Sequence, residues 1–172
     1  MPRCPYFVVI NISGKSCWQM FHAMLPDVET MRIAIDTNVL IAALTRLDGT
    51  SARIVQGWLD RRLEVVASNA TIREAELVLS GGWLARMVER ERIELLLEAL
   101  RTRTVMVEKP SQIRGLRLKD PGDLRLVEAA VAAGARYIVT TDREFLRARG
   151  WADVEFVTPS EFWEGLDKAE VT

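Results

Sequence analysis

Residues 32–44 read RIAIDTNVLIAAL. Arg32–Asp36 is a short apolar run ending in an acid, the pattern of a buried strand. Asn38–Leu47 follows as a helix, with Val39, Leu40, Ala43 and Leu47 on one face. This strand–helix unit recurs along the chain. Asp48-Gly49 signals a turn, and Thr50 or Ser51 caps a helix to about Asp60. Further strands are expected over 63–67, 104–107, 136–140 and 154–157. Helices are expected over 68–79, 83–89, 91–101, 121–133, 144–149 and 159–166, with Gly81-Gly82 stopping the first of these. Such alternation predicts a central parallel sheet covered on both faces, a three-layer α/β/α sandwich.

At 172 residues the chain is about one domain on the usual ~100–200 residues each. Its net charge of −1 excludes a general polyanion binder, so a nucleic-acid substrate needs a local basic patch. The one histidine, His22, and both cysteines, Cys4 and Cys17, fall within the first 22 residues. From Asp27 onward a histidine triad, a cysteine nucleophile and a His/Cys zinc site are therefore excluded. A body without cysteine also suits a reducing, cytoplasmic setting. Residues 1–30 read as an N-terminal extension to a domain spanning 31–172, the alternative being a natural start at Met31. The apolar run Tyr6–Ile10 is far short of the ~20 residues that cross a bilayer, so no membrane association is expected.

Acids stand where such a sheet does chemistry. In open α/β sheets ligands bind beyond the carboxyl ends of the strands. Asp36 follows the first strand and Asp142 the fourth. Asp120 and Asp123 open the 121–133 helix, and Glu74 lies in the helix after the second strand. Each has a plainer reading. Asp36 and Asp142 could simply cap helices, Asp120 and Asp123 are ordinary first-turn residues, and Glu74, beside Arg73, could lie on a solvated face. Taken together, in a body without His or Cys, they point to a hard-cation site. Clustered carboxylates repel one another, and oxygen ligands suit Mg²⁺ or Mn²⁺.

The segments IAIDTNVLIAAL, ASNATIREAELVL, KDPGDLRLVEAAVAAGARYIVTTD and VEFVTPSEFW, in that order and spacing over about residues 31–163, resemble the PIN-domain family. Within it they are similar to the toxins of bacterial type II toxin–antitoxin systems. The resemblance implies five parallel strands in the order 3-2-1-4-5 and a divalent-metal endoribonuclease using Mg²⁺ or Mn²⁺. It assigns catalysis and metal binding to Asp36, Glu74, Asp123 and Asp142, supported by Thr37, Asn38, Thr140 and Asp120. It also implies an antitoxin partner, and a homodimer is left open. Three features depart from the family pattern. Leu124 stands where Asn or an acid is usual, Gly122 replaces a common acid, and residues 1–30 have no counterpart.

The reaction so implied is hydrolysis of RNA phosphodiester bonds by metal-activated water, leaving a 5′-phosphate and a 3′-hydroxyl. Arg114, Arg117 and Lys119 lead into Asp120, and Arg143 follows Asp142. These are the candidate phosphate contacts, the alternative being solvated surface charge. The tryptophans Trp18, Trp58, Trp83, Trp151 and Trp163 read as core or interface anchors. Apolar stripes in 50–60 and 83–100 read as core before they read as an antitoxin surface. Two other functions compete. One is a non-catalytic PIN-fold binding protein. The other is an aspartate-nucleophile phosphohydrolase, which wants a second acid two residues after the first, where this chain has Asn38.

Overall fold

The five predicted apolar runs pair into one sheet. The computed structural model describes residues 31–169, so the extension with its cysteines and His22 lies outside the described residues. The elements are β1 (Met31–Ile35), α1 (Thr37–Thr45), α2 (Thr50–Leu59), β2 (Leu63–Ser68), α3 (Asn69–Leu79) and a 3₁₀ turn (Leu84–Arg86). They continue with α4 (Arg90–Thr102), β3 (Val105–Val107), α5 (Pro121–Ala132) and β4 (Tyr137–Val139). The last are α6 (Arg143–Ala148), β5 (Gly150–Trp151), β6 (Val154–Val157) and α7 (Pro159–Ala169).

The strand order is β3-β2-β1-β4-β6-β5. The expected 3-2-1-4-5 order is present, with β6 as the fifth parallel strand. The difference is β5, an antiparallel edge strand of two residues. It forms because Arg149 (φ 62°) and Ala152 (φ 52°) take left-handed conformations and turn the chain back on itself. Gly150 permits the pairing, since a Cβ there would lie 2.6 Å from the Val154 carbonyl oxygen.

Side chains alternate across the sheet with the period of two that strands impose. Ile33, Ile35, Val65 and Val139 enter one core with Val39, Leu40, Ile54, Trp58, Leu96 and Phe162. Ala34, Val66 and Ile138 enter the other with Leu126, Val127 and Phe145. Both faces are thus covered, as a parallel sheet requires. Trp58 is a core anchor, fully packed, with its indole N–H donating to the Arg103 carbonyl (3.4 Å).

Two expected elements are shorter than their patterns suggested. The first helix ends at Thr45, because Arg46 is extended and Gly49 N–H bonds back to the Arg46 carbonyl. Leu47 is therefore 51% exposed rather than on the buried face. Of the helix expected over 83–89, one 3₁₀ turn forms. Leu84 and Val88 are buried at helical spacing, but Trp83 just before them and Met87 between them face outward. A single turn is enough to bury two side chains.

Phe145 ties the short helix α6 to the sheet. It is wholly buried and meets Phe156 edge-to-face, with ring centroids 5.1 Å apart. Phe145→Ala is expected to lower stability by about 3–5 kcal/mol in urea unfolding, and a loss below about 1 kcal/mol would contradict this packing.

Candidate active site

β1 and β4 are neighbours at the sheet centre, with Ile35 opposite Val139. Asp36 extends the ladder by one rung, its N–H donating to the Val139 carbonyl (3.0 Å). Its carboxylate is held by both oxygens. Oδ1 accepts the Asn38 N–H (3.2 Å), and Oδ2 accepts the Thr140 hydroxyl (2.7 Å). Thr140 is fully buried, and its hydroxyl oxygen in turn accepts the Asp142 N–H (2.9 Å). Asp142 Oδ1 accepts the Glu144 N–H (2.6 Å) and so caps α6. Asp120 Oδ1 accepts the Gly122 N–H (2.8 Å) and caps α5, with Pro121 in its first turn. Asp36 caps α1.

The capping readings of Asp36 and Asp142 are therefore correct, Asp120, expected in the first turn, is also a cap, and none of these caps competes with a site. An ionised carboxylate has about four acceptor positions, and a cap uses one. Asp123, inside the first turn of α5, receives the consequence of the crowding. Burial, then the carboxylates of Asp36, Asp120, Asp142 and Glu144, push its carboxyl up to about 7. Burial also raises Asp36, opposed by its hydrogen bonds from Thr140 and Asn38 and reinforced by Asp142. Four of the five predicted acids thus act on one another. Glu144 was not anticipated. The signal was its place two residues after Asp142, where a cap's N–H donor stands.

Glu74 behaves differently. With Asp36, Thr37 and Asp123 it lines one crevice between α3, α5 and the end of β1. Its carboxylate, however, lies against Gly122 and pairs with Arg125 (3.6 Å). Arg125 was also not anticipated, though it stands two residues after Asp123 on the same helix. Thr37 is half-buried and Asn38 exposed, the latter acting on Asp36 chiefly through its backbone N–H and to a lesser degree through its side-chain amide.

Of the predicted cations, one reaches an acid through the backbone. Lys119 N–H donates to Glu144 Oε1 (3.0 Å), whereas Arg143 only follows Asp142 as the first residue of α6. Arg114 and Arg117 are exposed on the 108–120 loop. Ile113, Leu116 and Leu118 of that loop pack on the second core, and Gly115 abuts Trp151. Among the described residues, no hydrogen bond or ion pair joins Arg114 or Arg117 to the carboxylates.

The donor set is oxygen alone, and its mutual repulsion is of the kind a hard dication relieves. Among the described residues, no three acidic, His or Cys side chains converge on a ready-made ion position. The residues therefore fit such an ion in charge and donor type, with the final convergence left to side-chain adjustment.

Two predictions follow from this geometry. Between its unfolded value of 3.8 and about 7, Asp123 is protonated in the folded chain and ionised in the unfolded one. Raising pH across that window therefore destabilises the metal-free fold. By calorimetry, the melting temperature of wild type should fall relative to Asp123→Asn from pH 4 to 7, and parallel profiles would contradict the raised pKa. Thr140→Val keeps the shape but leaves the buried Asp36 oxygen without its donor. It should cost about 1–3 kcal/mol by denaturant unfolding.

Comparison with known proteins adds the following. The family model for the PIN domain matches residues 32–144. No curated protein is matched. Among solved structures, the crystal structure of VapBC2 from Rickettsia felis bound to a DNA fragment from their promoter is 14% identical, with a TM-score of 0.47. The likeness covers 74% of this chain and 98% of that one. The family match takes in all the acids placed above, from Asp36 through Asp142, and the chain belongs to the PIN-domain family.

Proposed function

We propose that the chain is an endoribonuclease that hydrolyses RNA phosphodiester bonds with Mg²⁺ or Mn²⁺, and that it is the toxin of a toxin–antitoxin pair acting in the cytoplasm. The observation that carries the nuclease reading is the crowding of Asp36, Asp123 and Asp142 at the carboxyl ends of β1 and β4. These three carboxylates would hold the ion, with Glu74 contributing from α3. When bound, such an ion makes water more acidic and offsets charge on the phosphate.

The chain's own groups supply the remainder. Thr140 and the Asn38 N–H fix the two Asp36 oxygens, so this carboxylate keeps one orientation. Lys119 and Arg143 offer cations for substrate phosphates beside the acids, and Arg114 and Arg117 extend the basic track along the loop. The toxin assignment rests on the likeness of the four sequence segments to that subgroup. In 83–100, Trp83 (46%) and Met87 (68%) are the large apolar side chains exposed enough to meet an antitoxin. No helix among the described residues is long and apolar enough to cross a membrane.

A binding-only role draws support from one observation, the lack of a preformed three-acid ion position among the described residues. The aspartate-nucleophile reading is disfavoured, because Asn38 stands where its second acid is expected.

The test is cleavage of end-labelled RNA by purified protein with Mg²⁺ or Mn²⁺, beside Asp36→Asn and a chelator control. Wild type should give 5′-phosphate products, chelator should abolish them, and Asp36→Asn should lose more than about 100-fold, the upper end of what outer-shell changes cost. Equal cleavage by the variant would overturn the reading. Metal binding without cleavage of any RNA tried would favour the binding role.

A further inference from the structure

The crevice acids are held in two different ways. Asp36, Asp120 and Asp142 are fixed by backbone N–H groups as helix caps. Glu74 sits in the second turn of α3 and is fixed by α5. A Cβ built at Gly122 would lie 2.7 Å from Glu74 Oε2 and 2.8 Å from its Cδ, and nearer still to Oε1. The carboxylate thus occupies the space a side chain at 122 would need. Arg125, three residues on and so on the same face of α5, reaches Glu74 Oε2 at 3.6 Å. The site is the flank of the crevice that also holds Asp36 and Asp123.

We propose that Gly122 is a positioning residue for Glu74: its missing side chain seats the carboxylate against the first turn of α5, and Arg125 retains it there. This rests on the reading of Glu74 as a metal ligand. A side chain at 122 would collide with the seated Glu74 carboxylate. The backbone at Gly122 is not left-handed, so a methyl group meets no backbone strain. What it meets is the far end of a flexible side chain, which moves away. A substitution here should therefore shift Glu74 without unfolding the domain.

The experiment compares wild type, Gly122→Ala, Glu74→Asp and the double variant by crystallography, thermal melting and Mn²⁺ titration, with Arg125→Gln as a second probe of the seat. Gly122→Ala should keep or raise the melting temperature, displace the Glu74 carboxylate from α5 in the crystal, and weaken Mn²⁺ binding about 10-fold. The shorter Asp at 74 makes room for the methyl group, so the double variant should bind Mn²⁺ more tightly than the product of the single losses. Arg125→Gln should weaken binding in the same direction by a smaller factor. A Glu74 carboxylate that stays on α5 in the Gly122→Ala crystal overturns the proposal, and so do independent losses in the double variant. If wild type and Asp36→Asn bind Mn²⁺ equally weakly, the metal reading falls, and the crystal arm still decides the seat.

Discussion

One hydroxyl organises the end of the sheet. Thr140 donates to Asp36 Oδ2 and accepts the Asp142 N–H, so it joins the ends of β1 and β4 to the start of α6. It is fully buried, and a buried hydroxyl needs partners. Its donor and one acceptor position are both used, and both uses serve a carboxylate-bearing residue. Burial is the largest influence raising Asp36, and the Thr140 hydrogen bond is the largest opposing it. Without that bond, two strand-end acids on adjacent strands would face each other across an apolar sheet end.

The crowding itself is a result of parallel topology. When strands run the same way, each strand-to-helix turn falls at one edge, and the N-terminus of each helix that follows a strand is brought there too. Carboxylates are good N-caps, and the N-terminal end of a helix carries partial positive charge. Asp36, Asp120 and Asp142 cap α1, α5 and α6 at that edge. Capping therefore gathers the acids, and it is local stability that assembles the cluster. Asp123, in the first turn of α5, caps nothing, and burial first and then the surrounding carboxylates drive its carboxyl up to about 7.

What the sequence disclosed follows from this. A run of apolar residues ending in an acid is local, and so are Pro121 in a first turn and alternating strand and helix periods. They were enough for a parallel sheet covered on both faces and for the acids at the strand ends, while the strand order came from the likeness of whole segments to the PIN-domain family. Contacts between distant segments were not legible. Seating Glu74 on Gly122 joins residues 48 positions apart, and neither shows a preference for the other in a linear reading. Leu47 failed for another reason: it continued the apolar period of α1 after Gly49 had already committed Arg46 to a turn. β5 depends on two non-glycine residues with positive φ, Arg149 and Ala152, which no propensity would choose.

The placement of charge separates a site from a structural ion-pair network. A cluster shaped for stability alone would interleave cations with acids, because unpaired carboxylates cost free energy as they are buried. Here every side-chain charge acting on Asp123 is another carboxylate. The cations Arg114, Arg117, Lys119 and Arg143 are exposed at the rim and along the loop. Arg125 with Glu74 is the exception, and it lies on the flank of the crevice rather than among the strand-end acids. Perturbed carboxylates in a crevice are a mark of function when no structural partner accounts for them. A net charge of −1 gives the molecule no overall pull on a polyanion. Any local attraction for a polyanion would have to come from the rim cations, while the acids they leave unpaired inside retain the repulsion that favours a dication.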